Sequence, residues 1–335
     1  MYLVGIIDWS SCNVKSGRRR RRRRGRPYVY SPIVILRCFI VRIWFRLDSN
    51  RSLHHFLCLD LPHNEKILRA CGLSLSVSYL PSRRTFDRRL KTMSTDIRER
   101  IATIGNLFVI EGLVRPYIVA TDTALLKSKG KVWHKSSMKD RIVLCSGIDT
   151  DAKWGYSHTK SWIYGYKLHM ICSTDLPLIV PLSADVTTAN VSDKPIYPDV
   201  VSCLSPEILK KIHYMVADPG FSGKKQYNLS LKRGFQLVCP VKRYKNTPVE
   251  RLKLVEFYES ALVQVVYSRR KTSIEPLIEH IKSTFRIDPV PVRGLNSVYS
   301  IVLLSVLMYQ ILVYYNCKVL ENDNPRKDIK YMIGC

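Results

Sequence analysis

The chain is poor in negative charge: 27 Asp and Glu face 54 Lys and Arg, leaving a formal charge of +27 over 335 residues. That excess is far beyond what solubility requires and favours a polyanionic partner, held by phosphate contacts that weaken as salt rises. An acidic membrane surface, or plain solubility, is the competing reading. Closely spaced cysteines are missing as well. The ten stand at 12, 38, 58, 71, 145, 172, 203, 239, 317 and 335, and the wide spacing rules out a metal knuckle or a redox pair. In apolar company such as Leu36-Arg-Cys-Phe-Ile40 they read as reduced core residues of an intracellular, cytoplasmic protein. No internal repeat exists. A short apolar patch at 2–7 lacks a basic flank and is cut by Asp8, so a signal peptide is not expected.

One long hydrophobic run is present, at 297–316, with no formal charge. Its length would span a bilayer, but Ser297, Ser300, Ser305, Gln310 and Asn316 interrupt it. A helix buried all round inside a large α/β protein is the better expectation, with no membrane partner.

Seven arginines at 18–24 make a basic tail over residues 1–26, expected to be disordered and to serve as an electrostatic arm for nucleic acid. From Ser31-Pro32 onwards the spacing of Ile33, Leu36, Ile40 and Ile43 predicts an amphipathic helix. Further helices are predicted over 52–59 and 82–91, the latter carrying Arg83, Arg84, Arg88 and Arg89. Residues 27–110 therefore read as a helical, DNA-docking domain, or as a helical cap whose arginines are its wet face. After Arg115-Pro116 the texture becomes β-rich. Strands are expected over 117–122, 162–172 and 176–184, the last two as a hairpin, and later over 214–218 and 235–241. Helices are expected over 193–204, 222–232, 274–286 and 295–317. The order suggests a mixed sheet flanked by helices over 111–317, followed by a tail at 318–335.

Three acids stand in recognisable settings. Asp122 ends the run from Tyr117, and Asp218 ends the run from Tyr214, just before Pro219-Gly220. Carboxyl ends of neighbouring strands are where open sheets place a ligand crevice. Glu275 precedes Pro276, which predicts a helix N-cap at the glutamate. Lys282 returns to nearly the same helical face, and Arg269, Arg270 and Lys271 lead in. Carboxylates are the hard oxygen ligands magnesium prefers, and a basic stripe beside them suits a phosphodiester. Taken singly, each acid is equally readable as a turn, cap or surface charge. His169 reads as a satisfied structural histidine and Trp133 as a packing anchor.

Together these fragments resemble the insertion-sequence transposases of the DDE class, from about residue 25 to residue 316. At the front, Gly25-Arg-Pro-Tyr28 and Leu80-Pro-Ser-Arg-Arg-Thr-Phe86 are similar to the family's helical domain. In the core, Ala120-Thr-Asp-Thr-Ala124, Gly165-Tyr-Lys-Leu-His169 and Thr188-Ala-Asn-Val-Ser-Asp193 follow in the family's order. Ala217-Asp-Pro-Gly-Phe221 and Arg269-Arg-Lys-Thr-Ser-Ile-Glu-Pro276 complete it. Three departures stand out: Lys271 occupies the position four before the glutamate where the family has arginine, Phe221 replaces a tyrosine, and the arginine tract at 18–24 is not part of the family's pattern.

The resemblance implies a ribonuclease H-like catalytic core of mixed α/β type behind an all-helical amino-terminal domain. It implies Asp122, Asp218 and Glu275 as catalytic ligands of two Mg2+ ions, with Mn2+ able to substitute. It also implies Arg270, Lys271, Lys282, Arg83, Arg84 and Arg88 as DNA contacts. The activity would be cleavage and transfer of DNA strands at terminal inverted repeats into target DNA, by a homodimer bridging two ends. A catalytically inactive or domesticated DNA-binding derivative, and a stand-alone nuclease, are the alternatives.

Overall fold

The computed structural model describes residues 29–333 apart from 77–78, 141, 144, 158–160, 177, 242 and 244–246. The arginine tract lies outside the described residues.

Five helices lead: α1 Pro32–Trp44, α2 Asn50–Cys58, α3 Pro62–Cys71, α4 Arg83–Leu90 and α5 Ser94–Ile110. The Ser31-Pro32 start forms as the sequence predicts, with the Ser31 hydroxyl accepting the Val34 N–H. Ser49 caps α2 and Ser82 caps α4 in the same way. Sequence periodicity misses α3 and α5.

Then come β1 Ile118–Lys127, the short α6 Lys135–Lys139, β2 Lys153–Ser157, β3 Ser161–Ser173 and β4 Pro181–Thr188. These are followed by α7 Asp193–Ser202, α8 Pro206–Leu209, β5 Tyr214–Ala217, α9 Lys224–Lys232 and β6 Gln236–Val238. Four helices close the chain: α10 Val249–Glu259, α11 Ala261–Phe285, α12 Leu295–Lys318 and α13 Ile329–Met332.

All six strands join one sheet. β3 pairs antiparallel with β1 along one edge; on the other it pairs with β2 through its first half and β4 through its second. β5 then adds parallel to β1, and β6 parallel to β5. Four strands joined antiparallel, β1 to β4, followed by two added in parallel, β5 and β6, with helices packed on the sheet, is a ribonuclease H-like arrangement. β2 is a strand that sequence reading missed. The hairpin expected from β3 to β4 is present, with a longer connection than foreseen.

The charge-free run is α12, and seventeen of its twenty-four residues are buried. It is long and apolar enough to cross a membrane, yet 89% of its apolar window is buried inside the protein. It packs against α1, α4 and α5 on one side and β4 on the other. The side-chain amide of Gln310 explains the one long polar residue: it donates to Ile101 O of α5 at 2.9 Å and to Pro181 O of β4 at 2.8 Å. α5 approaches β4 closely because residue 105 is glycine; a Cβ there would lie 3.1 Å from Leu182 Cα. The start of α12 is held from the loop before β2. Asp149, buried, accepts the Gly294 N–H and the Tyr166 hydroxyl at 2.7 Å, and Asp151 accepts the Leu295 N–H at 2.9 Å.

The end of the chain also packs: Ile329 is buried, Asn316 donates to Pro325 O, and Arg326 to the Tyr309 hydroxyl. One continuous core runs from Ile35 to Ile333.

Candidate active site

β1 continues five residues past Asp122, so this aspartate lies mid-strand and not at the strand's end, as alternation had suggested. It still opens onto a crevice. β5 stops after Ala217, the partner of Thr121, and beyond that point the β5-side edge of β1 is uncovered. Asp218 follows directly, with its carboxylate Oδ1 accepting the Gly220 N–H at 2.8 Å. The two aspartates thus lie at the level where the parallel strand β5 ends, although only Asp218 follows a strand end.

Glu275 corrects a second expectation. It does not cap a helix; it sits within α11, which runs through Pro276 unbroken. An interior proline costs about 3 kcal/mol, but Ile274, Leu277, Ile278 and Ile281 are buried from this stretch against the sheet. At about 1.5–3 kcal/mol each, those four outweigh the lost hydrogen bond. Glu275 is itself exposed and points into the same cleft as the aspartates, an open space of about 600 Å³.

Arg270 joins them. Its guanidinium donates to Asp122 Oδ2 at 2.6 Å and to Glu275 Oε1 at 2.8 Å, and is 16% exposed. The arginine five residues before the glutamate therefore reaches the carboxylates, while Lys271, at the family's usual position, faces solvent. Burial raises the Asp122 carboxyl to about 6. Arg270 and the Thr123 N–H pull it back, while Asp218 and Glu275 push it further up. Burial likewise raises Asp218, against the pull of Arg270.

Lys282 lines the cleft but is buried at 5% exposure, held by Glu279 Oε1 at 3.0 Å and Asp288 Oδ2 at 3.1 Å. Two carboxylates hold this ammonium in the wall of the site. Arg83, Arg84 and Arg88 lie exposed on α4, away from the cleft. Arg83 also pairs loosely with Asp87 at 3.5 Å. Arg89 of the same helix is buried and donates to Tyr30 O, so it belongs to packing. His169 is buried beside Thr187, with Nε2 and Oγ1 2.9 Å apart, and Trp133 is buried with its indole donating to Ile142 O.

Sequence reasoning passed over two cleft residues, Lys167 and Asp193, which form an ion pair at 2.9 Å. Both fall within fragments already singled out, but only the sheet register brings them together.

Three hard carboxylates in one cleft, with Asp122 carrying a penalty from burial, suit a divalent cation chemically. As the side chains stand, no group of three or more His, Cys, Asp or Glu among the described residues is gathered closely enough to hold an ion. The Arg270 guanidinium occupies the space between Asp122 and Glu275 and neutralises them in its place.

The model of the transposase DDE domain matches residues 120–311, more than half of the chain, and the protein belongs to that DDE transposase family. Among solved structures it is similar to the piggyBac transposase in a synaptic complex with hairpin DNA, at 12% identity and a TM-score of 0.37, covering 99% of this chain and 77% of that one. It is also similar to a chain of the pre-cleavage Mos1 transpososome, at 8% identity and a TM-score of 0.23, covering 86% and 98%. No curated protein sequence matches it.

Proposed function

We propose that the protein cuts and rejoins DNA at the inverted-repeat ends of an insertion sequence, by phosphoryl transfer with two divalent ions. The observation that carries this reading is the bridge from Arg270 to Asp122, 148 positions apart, with Glu275 on the same guanidinium and Asp218 on the adjoining strand end. Asp122, Asp218 and Glu275 would hold magnesium or manganese, which when bound supplies Lewis-acid stabilisation of the phosphoryl oxygens and an activated nucleophile.

The chain's own residues do the rest. Asp122 has to be ionised to act as a ligand, so a bound cation would draw its carboxyl down from the raised value that burial gives it. Arg270, once its carboxylates are engaged elsewhere, presents a planar fork suited to a phosphate. Asp122 and Lys282 are buried in the wall of the open cleft. Exposed Arg83, Arg84, Arg88 and Lys271 provide contacts to the duplex backbone. A homodimer bridging two element ends, in the cytoplasm on the nucleoid, is the expected working form.

The test is nicking of a plasmid carrying the element's genomic ends, with magnesium. Asp122→Asn should lower the rate about a thousandfold or more, several kcal/mol of lost transition-state stabilisation, while DNA affinity stays within about twofold. Parental nicking by Asp122→Asn would sink the assignment.

A further inference from the structure

The cleft contains a second cation besides Arg270, tethered in a different way. Lys167 lies on β3, paired with Leu125 of β1, and is 13% exposed. Its ammonium donates to Asp193 Oδ1 at 2.9 Å and to Val191 O at 2.7 Å. Asp193 opens α7 and reaches the neighbourhood of Asp218. A Cβ added to Gly220 would lie 2.8 Å from Asp218 Oδ1 and 3.4 Å from Asp193 Oδ2, so glycine leaves the space between the two carboxylates open. His169 Nδ1 stands 4.0 Å from Asp193 Oδ1. Burial holds its imidazole down to about 4, so near neutrality it carries no charge to compete for Asp193.

Arg270 is tied to Asp122 and Glu275, the carboxylates a metal would claim. Lys167 is tied to Asp193 and a backbone carbonyl, neither of which belongs to that set. When the cleft fills, Arg270 loses its anchors and Lys167 keeps its own. An ammonium has three donors; two are spent on the wall, and one is left for a ligand. A structural strut from β3 to α7 would need no place in the cleft, yet both residues line it.

Building on the transposase reading, we infer that Lys167 binds a non-bridging oxygen of the DNA phosphodiester on the Asp218 side of the cleft, with Asp193 as the positioning residue that holds the ammonium there. This adds a fixed phosphate contact to the cleft, where Arg270 is the displaceable one.

The experiment is fluorescence anisotropy of the full-length protein on a labelled duplex carrying one element end, across a series of KCl concentrations. Lys167→Met should weaken binding about tenfold and flatten the slope of log Kd against log salt by about 0.9, the signature of one lost phosphate contact. Lys167→Arg should recover most of that slope. Asp193→Asn should leave the slope in place and lower kcat more than it raises KM. A purely structural ion pair would lower the melting temperature without moving the slope, so a folded Lys167→Met with parental slope and affinity overturns the inference.

If Lys167→Met does not fold, the parental protein still decides. Bound duplex should slow acetylation of Lys167 about tenfold by mass spectrometry, and equal labelling with and without DNA overturns the contact. The anisotropy and acetylation readouts do not depend on strand cleavage, so failure of the Asp122→Asn nicking test and failure at Lys167 are separate results.

Discussion

Replacing Asp122 with asparagine should make the metal-free protein more stable at pH 8, even as it removes a proposed metal ligand. The Asp122 carboxyl sits at about 6 in the fold against an ordinary 3.8, because burial outweighs the help it receives from Arg270 and the Thr123 N–H. The gap between those values corresponds to about 3 kcal/mol by which the native state disfavours the charged form. A folded-state value above the unfolded one means the native protein takes up the proton first, so stability falls as pH rises from 3.8 to 6 and the full penalty applies above that window. Asparagine has nearly the same shape and no charge, and it relieves the penalty wherever the penalty exists. Urea melts in EDTA should therefore show Asp122→Asn more stable by up to about 3 kcal/mol at pH 8, with the advantage shrinking to about half by pH 5. A variant no more stable than the parent at pH 8 would refute the claim that burial, and not the ion pair with Arg270, dominates at this carboxylate.

Arg270→Gln removes the partner of a buried carboxylate and should destabilise the metal-free protein by about 3 kcal/mol; millimolar MgCl2 should restore more of its melting temperature than it adds to the parent's. Equal magnesium responses in the two proteins would show that Arg270 does not stand where the ions go. Asp149→Ala strips the acceptor from Tyr166 and from the backbone at the start of α12, and should cost about 2–3 kcal/mol in a urea melt. A loss below about 0.5 kcal/mol would mean that this end of α12 is held by something else.

The catalytic half was legible because its signals are local. The apolar run before Asp122 and the shorter one before Asp218 mark strands, and the Pro-Gly turn marks where the second one stops. Positions that depend on tertiary context were misread. Asp122 looked terminal because Thr123 and the residues after it carry no strand signal strong enough to reveal that β1 continues along β3. Glu275 looked like a cap because local sterics before proline oppose helix, and only the buried face of α11 overrides them. Lys282 looked free because Asp288, its partner, comes after the helix has ended. Arg270, one position off the family's usual place, could be assigned to the carboxylates only from the path of α11 over the sheet.

The stitching of α12 into the first helices has a consequence for how the protein comes into being. Helices α1, α4 and α5 emerge from the ribosome nearly two hundred residues before the segment that completes their core. A nascent chain cannot settle its arginine-bearing front half until translation has passed Lys318. Shortened products that stop before Leu295 should accordingly be cleared as unfolded polypeptide.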